Sequence, residues 1–178
     1  MSEDRRLLDE IAFLSDHLLR VLRTQASPRV AKAVAQACRG GSTARLAEGM
    51  TDDELRGLAR ALTMLMDLTN LAEDRQRVRV LRERERQRGK RPLEGSVDDA
   101  VALLARRLGS PARVRETVGR LRVELVLTAH PTEAKRRTIR AKLRRIRAAL
   151  DRLDRPDVLP RERADATRVL DAELTTWW

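Results

Sequence analysis

The sequence predicts a mainly α-helical protein with one strand–helix unit near its far end. Three observations carry this. Ala, Leu, Arg and Glu abound while Gly numbers 8 and Pro 6 in 178 residues, a composition that favours helices. Apolar residues return at spacings of three and four along most of the chain. Residues that start and stop helices stand at the ends of those runs. Aromatics are only 2%, with no Tyr, so the core must be aliphatic.

Residues 3 to 24 read as an amphipathic helix with Leu7, Ile11, Leu14, Leu18 and Val21 on one face. His17 borders that face and reads as a boundary packing residue. Ser27-Pro28 is an N-cap with proline at the first helical position. The helix it opens should end at Gly40-Gly41, where left-handed backbone carries no Cβ penalty. Cys38 lies in an Ala/Val-rich stretch and reads as a small buried hydrophobe. As the lone cysteine it excludes an internal disulfide and a thiolate metal cluster.

Thr51-Asp52-Asp53-Glu54 is a capping box. A long helix should follow, from about residue 52 to about 88, with Leu55, Leu58, Leu62, Leu65, Leu68, Leu71 and Ala72 as its apolar stripe. From Glu73 to Lys90 it is almost solid charge, with Arg75, Arg77, Arg79, Arg82, Arg84, Arg86 and Arg88 among Glu and Gln. The plain reading is a solvated arm laced with side-chain pairs. The sharper one is a polyanion-binding arm, weakened by interspersed acids and by the lack of aromatics to stack on bases. Ser96 should cap a helix over 97 to 108, stopped by Gly109. Ser110-Pro111 should open another to about Gly119. Pro160 should open a last helix that is still running at Trp178.

Val123-Glu124-Leu125-Val126-Leu127 is short, β-branched and leucine-rich, and it reads as a buried strand. Ile139, Leu143, Ile146, Leu150 and Leu153 then mark a helix from about Pro131 to Leu153. A lone strand cannot satisfy its own backbone groups. Another chain must pair with it, or the sequence is cut from a longer one. The bulky ending Trp177-Trp178, with no helix stop, is expected of a cut. Residues 1–120 therefore read as an amino-terminal helical region and 121–178 as the truncated start of a second unit.

The net charge of +11 points to an anionic partner: nucleic acid, a membrane surface or a phosphorylated ligand. The chain has no apolar run of membrane-crossing length and no signal-like start, so it reads as cytoplasmic. No His or His/carboxylate pair has metal-ligand spacing, and neither a glycine-rich phosphate loop nor a Ser-His-Asp pattern is present.

One constellation can carry chemistry. His130 precedes Pro131, which pushes its backbone out of the α region, and Pro131 suits the first position of the next helix. His130 thus falls between a strand's carboxyl end and a helix start, where α/β folds build active sites. A helix start attracts anions and disfavours imidazolium, so a neutral His130 would make a reasonable general base. The alternative is a structural His-Pro. Arg136 and Arg137, in the next helix, are in reach of an anion at its start; the alternative is a solvated or carboxylate-paired role. Arg140, Arg144, Arg145, Arg147 and Arg152 read most simply as a basic solvent face.

Val123 to Glu133, followed by Arg136-Arg137-Thr138, closely resembles the first active-site signature of phosphoenolpyruvate carboxylases. The likeness continues through Lys142, Arg144-Arg145-Ile146 and Pro160-Arg161-Glu162-Arg163, and upstream at Asn70-Leu71-Ala72-Glu73. The resemblance implies a (β/α)₈ barrel, of which residues 121–178 would be the first strand–helix unit of an incomplete copy. It implies formation of oxaloacetate and phosphate from phosphoenolpyruvate and bicarbonate, through carboxyphosphate and an enolate. His130 would deprotonate carboxyphosphate. Mg²⁺ or Mn²⁺ would be the cofactor, with its ligands outside this chain, and the complete protein would be a homotetramer that includes a carboxy-terminal remainder. The isolated piece would be inactive. Leu143 stands where many members have histidine. The competing reading is a basic helical module that binds nucleic acid or another polyanion.

Overall fold

The computed structural model describes residues 3–87, 89, 92–122, 124–126 and 136–178. Among these, all regular structure is helical: α1 (Glu3–Gln25), α2 (Pro28–Cys38), α3 (Ala44–Ala47), α4 (Asp52–Gln87), α5 (Val97–Leu108), α6 (Pro111–Gly119), α7 (Arg137–Leu153) and α8 (Pro160–Trp177). The protein is mainly α, as its composition and periodicity predict.

The helix starts follow the capping chemistry in the sequence. Ser27 Oγ accepts from the Val30 amide at 3.3 Å and donates to Glu54 at 2.8 Å, so one hydroxyl caps α2 and ties it to the first turn of α4. The Thr51–Glu54 capping box forms in both directions: the Glu54 amide donates to Thr51 Oγ1 at 3.3 Å, and the Thr51 amide donates to the Glu54 carboxylate at 3.1 Å. Ser96 accepts from the Asp99 amide at 3.1 Å. Ser110 precedes α6 without a side-chain cap bond, leaving Pro111 as the start signal. Gly109 ends α5 at φ 63°, a left-handed conformation that any Cβ would strain. The four-residue α3 is the one helix that the sequence reading lacks.

The chain divides into two compact units, residues 1–76 with 135–178, and residues 77–134. The first holds the core. Leu14, Leu18 and Leu22 of α1 meet Val30 and Val34 of α2, Met64 and Leu68 of α4, Ile146 of α7, and Leu170 and Leu174 of α8. Each fully buried leucine contributes about 2 kcal/mol relative to exposure. The aliphatic core expected from the lack of aromatics is what forms. Trp177 and Trp178 pack against its margin.

Charge also enters this core. Arg75 was expected on a solvated arm, yet its side chain is only 3% exposed. It pairs with Glu10 of α1, with Asp151 of α7 at 3.0 Å and with Asp154 just beyond α7 at 3.0 Å. Leu55, expected on the apolar stripe, is 39% exposed because it lies in the first turn of α4.

The second unit contains the charged end of α4 and the hairpin of α5 and α6. Of the expected strand, Glu124, Leu125 and Val126 are irregular and exposed, with Leu125 at 87% and Val126 at 79%. Val123 and Leu127 lie outside the described residues, and no ladder partner occurs among the described ones.

Candidate functional site

His130, with Pro131 and the rest of residues 127–135, lies outside the described residues. The described part of the candidate site begins at Arg136, the residue that caps α7. Its backbone is extended, with φ −54° and ψ 143°, so α7 starts at Arg137 and Arg136 stands ahead of the helix rather than inside one running from about Pro131; its side chain makes no cap bond. Arg136 and Arg137 are both exposed.

Arg136 borders a groove of about 550 Å³ in the first unit, between α4, α7 and the end of α8. Arg60 and Asp67 of α4 line it, with Lys142 of α7 and Thr176 of α8. Arg137 does not. Two of the groove's cations are already engaged. Arg60 Nη1 donates to the Trp178 carbonyl at 2.6 Å, and its guanidinium lies 5.9 Å from that indole's centroid. Lys142 Nζ donates to Thr176 Oγ1 at 2.6 Å and lies 3.4 Å from Glu173. Arg136 makes no ion pair among the described residues.

Glu173 is the fixed point of this wall. Arg145 holds it through two hydrogen bonds, one of them 2.9 Å, and Lys142 approaches the same carboxylate. The Arg145 guanidinium foremost, with Lys142 adding to it, holds the Glu173 carboxyl below its usual range. The clamp locks α7 to α8 beside the groove. Farther along α7, Arg140, Arg144 and Arg147 face Asp67 and Asp74 across a smaller groove of about 250 Å³.

Two further polar groups in the core lie away from this groove. His17 is 2% exposed; its Nδ1 meets Asp171 of α8 at 2.5 Å and its ring packs on Phe13. It is thus a buried, bonded residue rather than a boundary one. Cys38 is partly buried against the core, and that burial pushes its thiol up. Among the described residues, no three His, Cys, Asp or Glu side chains are placed to hold a metal ion. Sequence reasoning singled out neither Glu173 nor Asp67. Glu173 lies more than two turns beyond the Pro160-Arg161-Glu162-Arg163 segment of its helix, and Asp67 stands beside a leucine stripe on α4.

The fold and the site define an all-helical region in which Arg136 stands ahead of α7, beside a groove that Asp67 and Lys142 also line. The family model for phosphoenolpyruvate carboxylase matches residues 11–178. A phosphoenolpyruvate carboxylase of Ectopseudomonas mendocina is 38% identical over 98% of this chain and 21% of its own length. Those of Pseudomonas aeruginosa and Alcanivorax borkumensis are each 33% identical, over 98% and 88% of this chain and 21% and 19% of theirs. No solved structure matches. The chain belongs to the phosphoenolpyruvate carboxylase family, and it spans about a fifth of the length of the curated relatives it matches.

Proposed function

We propose that this chain forms the amino-terminal fifth of a phosphoenolpyruvate carboxylase, which joins bicarbonate to phosphoenolpyruvate to give oxaloacetate and phosphate. The observation that carries this is the family match over residues 11–178, which includes the Thr128-Ala129-His130-Pro131-Thr132-Glu133 segment. Residues 121–178 would lead into the catalytic barrel, and residues 1–120 would form part of its helical surround.

A bicarbonate oxygen attacks phosphorus, and the bond from phosphorus to the enol oxygen breaks. The products are carboxyphosphate and the enolate of pyruvate. Carboxyphosphate loses a proton to the neutral imidazole of His130 and splits into carbon dioxide and phosphate. The enolate carbon then takes the carbon dioxide to give oxaloacetate. Arg136 supplies positive charge toward these anions, and Arg137 lies next to it on the same helix start. Every species on the path except carbon dioxide is an anion, so cations near the reacting groups lower its cost.

Magnesium or manganese belongs to the same reading. The described residues do not fit a divalent-metal site, so its ligands are assigned to the rest of the polypeptide and no step here runs through the metal. The remaining catalytic groups fall there too, and the 178-residue chain alone should not turn over. Homotetramer formation and a cytoplasmic location are part of this proposal. No helix among the described residues is long and apolar enough to cross a membrane.

The test is His130→Asn in the complete carboxylase. Losing a general base typically costs about 10²–10⁴ in rate. Oxaloacetate formation should fall by that order, while bicarbonate-dependent phosphate release should fall far less. Equal loss of both products would remove His130 from the carboxylation step.

A further inference from the structure

The clamp between α7 and α8 holds more positive charge than a tie between two helices requires. Lys142 and Arg145 share one carboxylate, that of Glu173, so the three side chains together retain one positive charge. The two cations do not divide that carboxylate equally. Arg145 reaches both of its oxygens, through Nε and Nη2, a fork that spans the two helices by itself. Lys142 Nζ lies 3.4 Å from Glu173, longer than the usual range of such a bond. Its short bond, 2.6 Å, is to the neutral Thr176 Oγ1. That oxygen is aimed: it donates its own proton to the Ala172 carbonyl at 2.8 Å, which leaves a lone pair for the ammonium. An ammonium has three donors, and its contacts among the described residues use two. The side chains of Lys142 and Glu173 are 17% and 15% exposed, so water screens this charge less than one on the open surface. Lys142 and Thr176 both line the groove that Arg136 borders.

We propose that Lys142 is a further substrate-binding residue of the carboxylase, an ammonium anchored by Thr176 that takes an anionic group of phosphoenolpyruvate in the groove beside Arg136. The inference rests on the function proposed above and adds a residue to it. Phosphoenolpyruvate carries a carboxylate and a phosphate, and two cations on one groove match that pair; bicarbonate offers a single charge. Tying helices is not what sets Lys142 apart, since Arg145 does that with two bonds. An ammonium held mainly by a hydroxyl keeps its charge for a ligand. Being already ordered, it also loses little freedom when the ligand arrives.

The test begins with the complete carboxylase unaltered. These 178 residues hold four lysines, Lys32, Lys90, Lys135 and Lys142, so acetylation by acetic anhydride can be followed at each by mass spectrometry. Saturating phosphoenolpyruvate should slow acetylation of Lys142 at least about fivefold and leave the exposed Lys32 of α2 unaffected. Lys142→Met should raise the KM for phosphoenolpyruvate about tenfold, the weight of one charge-assisted hydrogen bond, with kcat changed far less. Lys142→Arg, which keeps the charge, should recover most of that loss. Glu173→Gln separates binding from tying. It breaks the clamp but leaves the ammonium in the groove, so the KM should not rise although the protein unfolds at lower urea. A KM that rises alike in Lys142→Met and Glu173→Gln would make Lys142 a tie between helices and overturn the proposal. So would an unchanged KM in Lys142→Met, or acetylation of Lys142 that phosphoenolpyruvate does not slow. If Lys142→Met does not fold, acetylation of the unaltered enzyme decides. Protection of Lys142 in an enzyme that forms no oxaloacetate would overturn the functional reading and leave the binding site standing. Oxaloacetate formation without protection would do the reverse.

Discussion

Arg75→Met should unfasten three helices at once. The guanidinium is 3% exposed and has three carboxylates around it. Their environments differ, and that sets the magnitude. Glu10 is 9% exposed, whereas Asp151 and Asp154 are 62% and 37% exposed. Removing one partner of a buried ion pair costs about 3–5 kcal/mol, because the other charge stays in a medium that solvates it poorly. An exposed pair is worth about 0–1 kcal/mol. Water can therefore take over much of what Arg75 gives the two aspartates, and Glu10 dominates the loss. The expected destabilisation is about 3 kcal/mol, at the low end of the buried range. Urea unfolding followed by helix circular dichroism measures it. Glu10→Gln added to Arg75→Met should recover part of the loss, since it removes the buried charge. Arg56→Met is the control: its pair with Asp53 is 76% and 93% exposed, and it should move stability by no more than about 0.5 kcal/mol. A loss below about 1 kcal/mol for Arg75→Met would place its network in the solvated class. The account of a charged core would then fail.

Two further predictions concern the joints of α8. His17→Ala removes a buried ring and its bond to Asp171, and should cost about 2–4 kcal/mol in the same unfolding assay; a loss near zero would mean that α1 and α8 do not depend on it. For Glu173 the folded carboxyl is held below its usual value of 4.5, chiefly by Arg145. Such a group contributes stability in full above that value and loses it as the pH falls through the folded value. The stability gap between the parent chain and Glu173→Gln should therefore be widest near neutrality and shrink below pH 4.5. A gap that stays constant down to about pH 3 would contradict the clamp.

The helices were legible because their signals are local. Ser27, Thr51 and Ser96 each bond an amide three residues on, so sequence spacing alone exposes them. α3 escaped because four residues cannot display a period. Arg75 was misread for the opposite reason. Its partners lie 65, 76 and 79 positions away, and nothing within one turn of α4 separates it from Arg77 or Arg82. The Glu173 clamp on Lys142 and Arg145 was hidden in the same way. Long-range ion pairs leave no periodic trace, and a charged residue in a charged run looks solvated. The strand segment shows the remaining limit. A run such as Leu125-Val126 is legible as apolar, but whether it pairs depends on backbone partners that the run itself cannot name.

The anchoring of α7 bears on the role proposed for His130. The segment that carries His130 leads in sequence to α7, and a misplacement of about 1 Å at a catalytic group can cost 10²-fold in rate. α7 is fastened along its length. Ile146, Ala149 and Leu150 are buried in the core, Arg145 and Lys142 are locked to Glu173, and Asp151 and Asp154 grip Arg75 at the far end. Among the described residues the first turn shows no such fastening, and Arg136 and Arg137 are exposed. Rigidity therefore enters the helix from its middle and carboxyl end and fixes the axis toward the amino end, where Arg136 and Arg137 are exposed. On the proposed reading, that division suits a helix that presents cations to an anionic substrate. On the proposed reading, Arg75→Met should consequently lower carboxylation in the complete enzyme although it touches no substrate. The loss should track the loosening of α7 rather than the charge removed. Arg75→Lys keeps the charge but not the fork that spans two helices, and it should recover little of the rate. Full recovery by lysine would mean that charge alone matters at that position and that α7 needs no such grip.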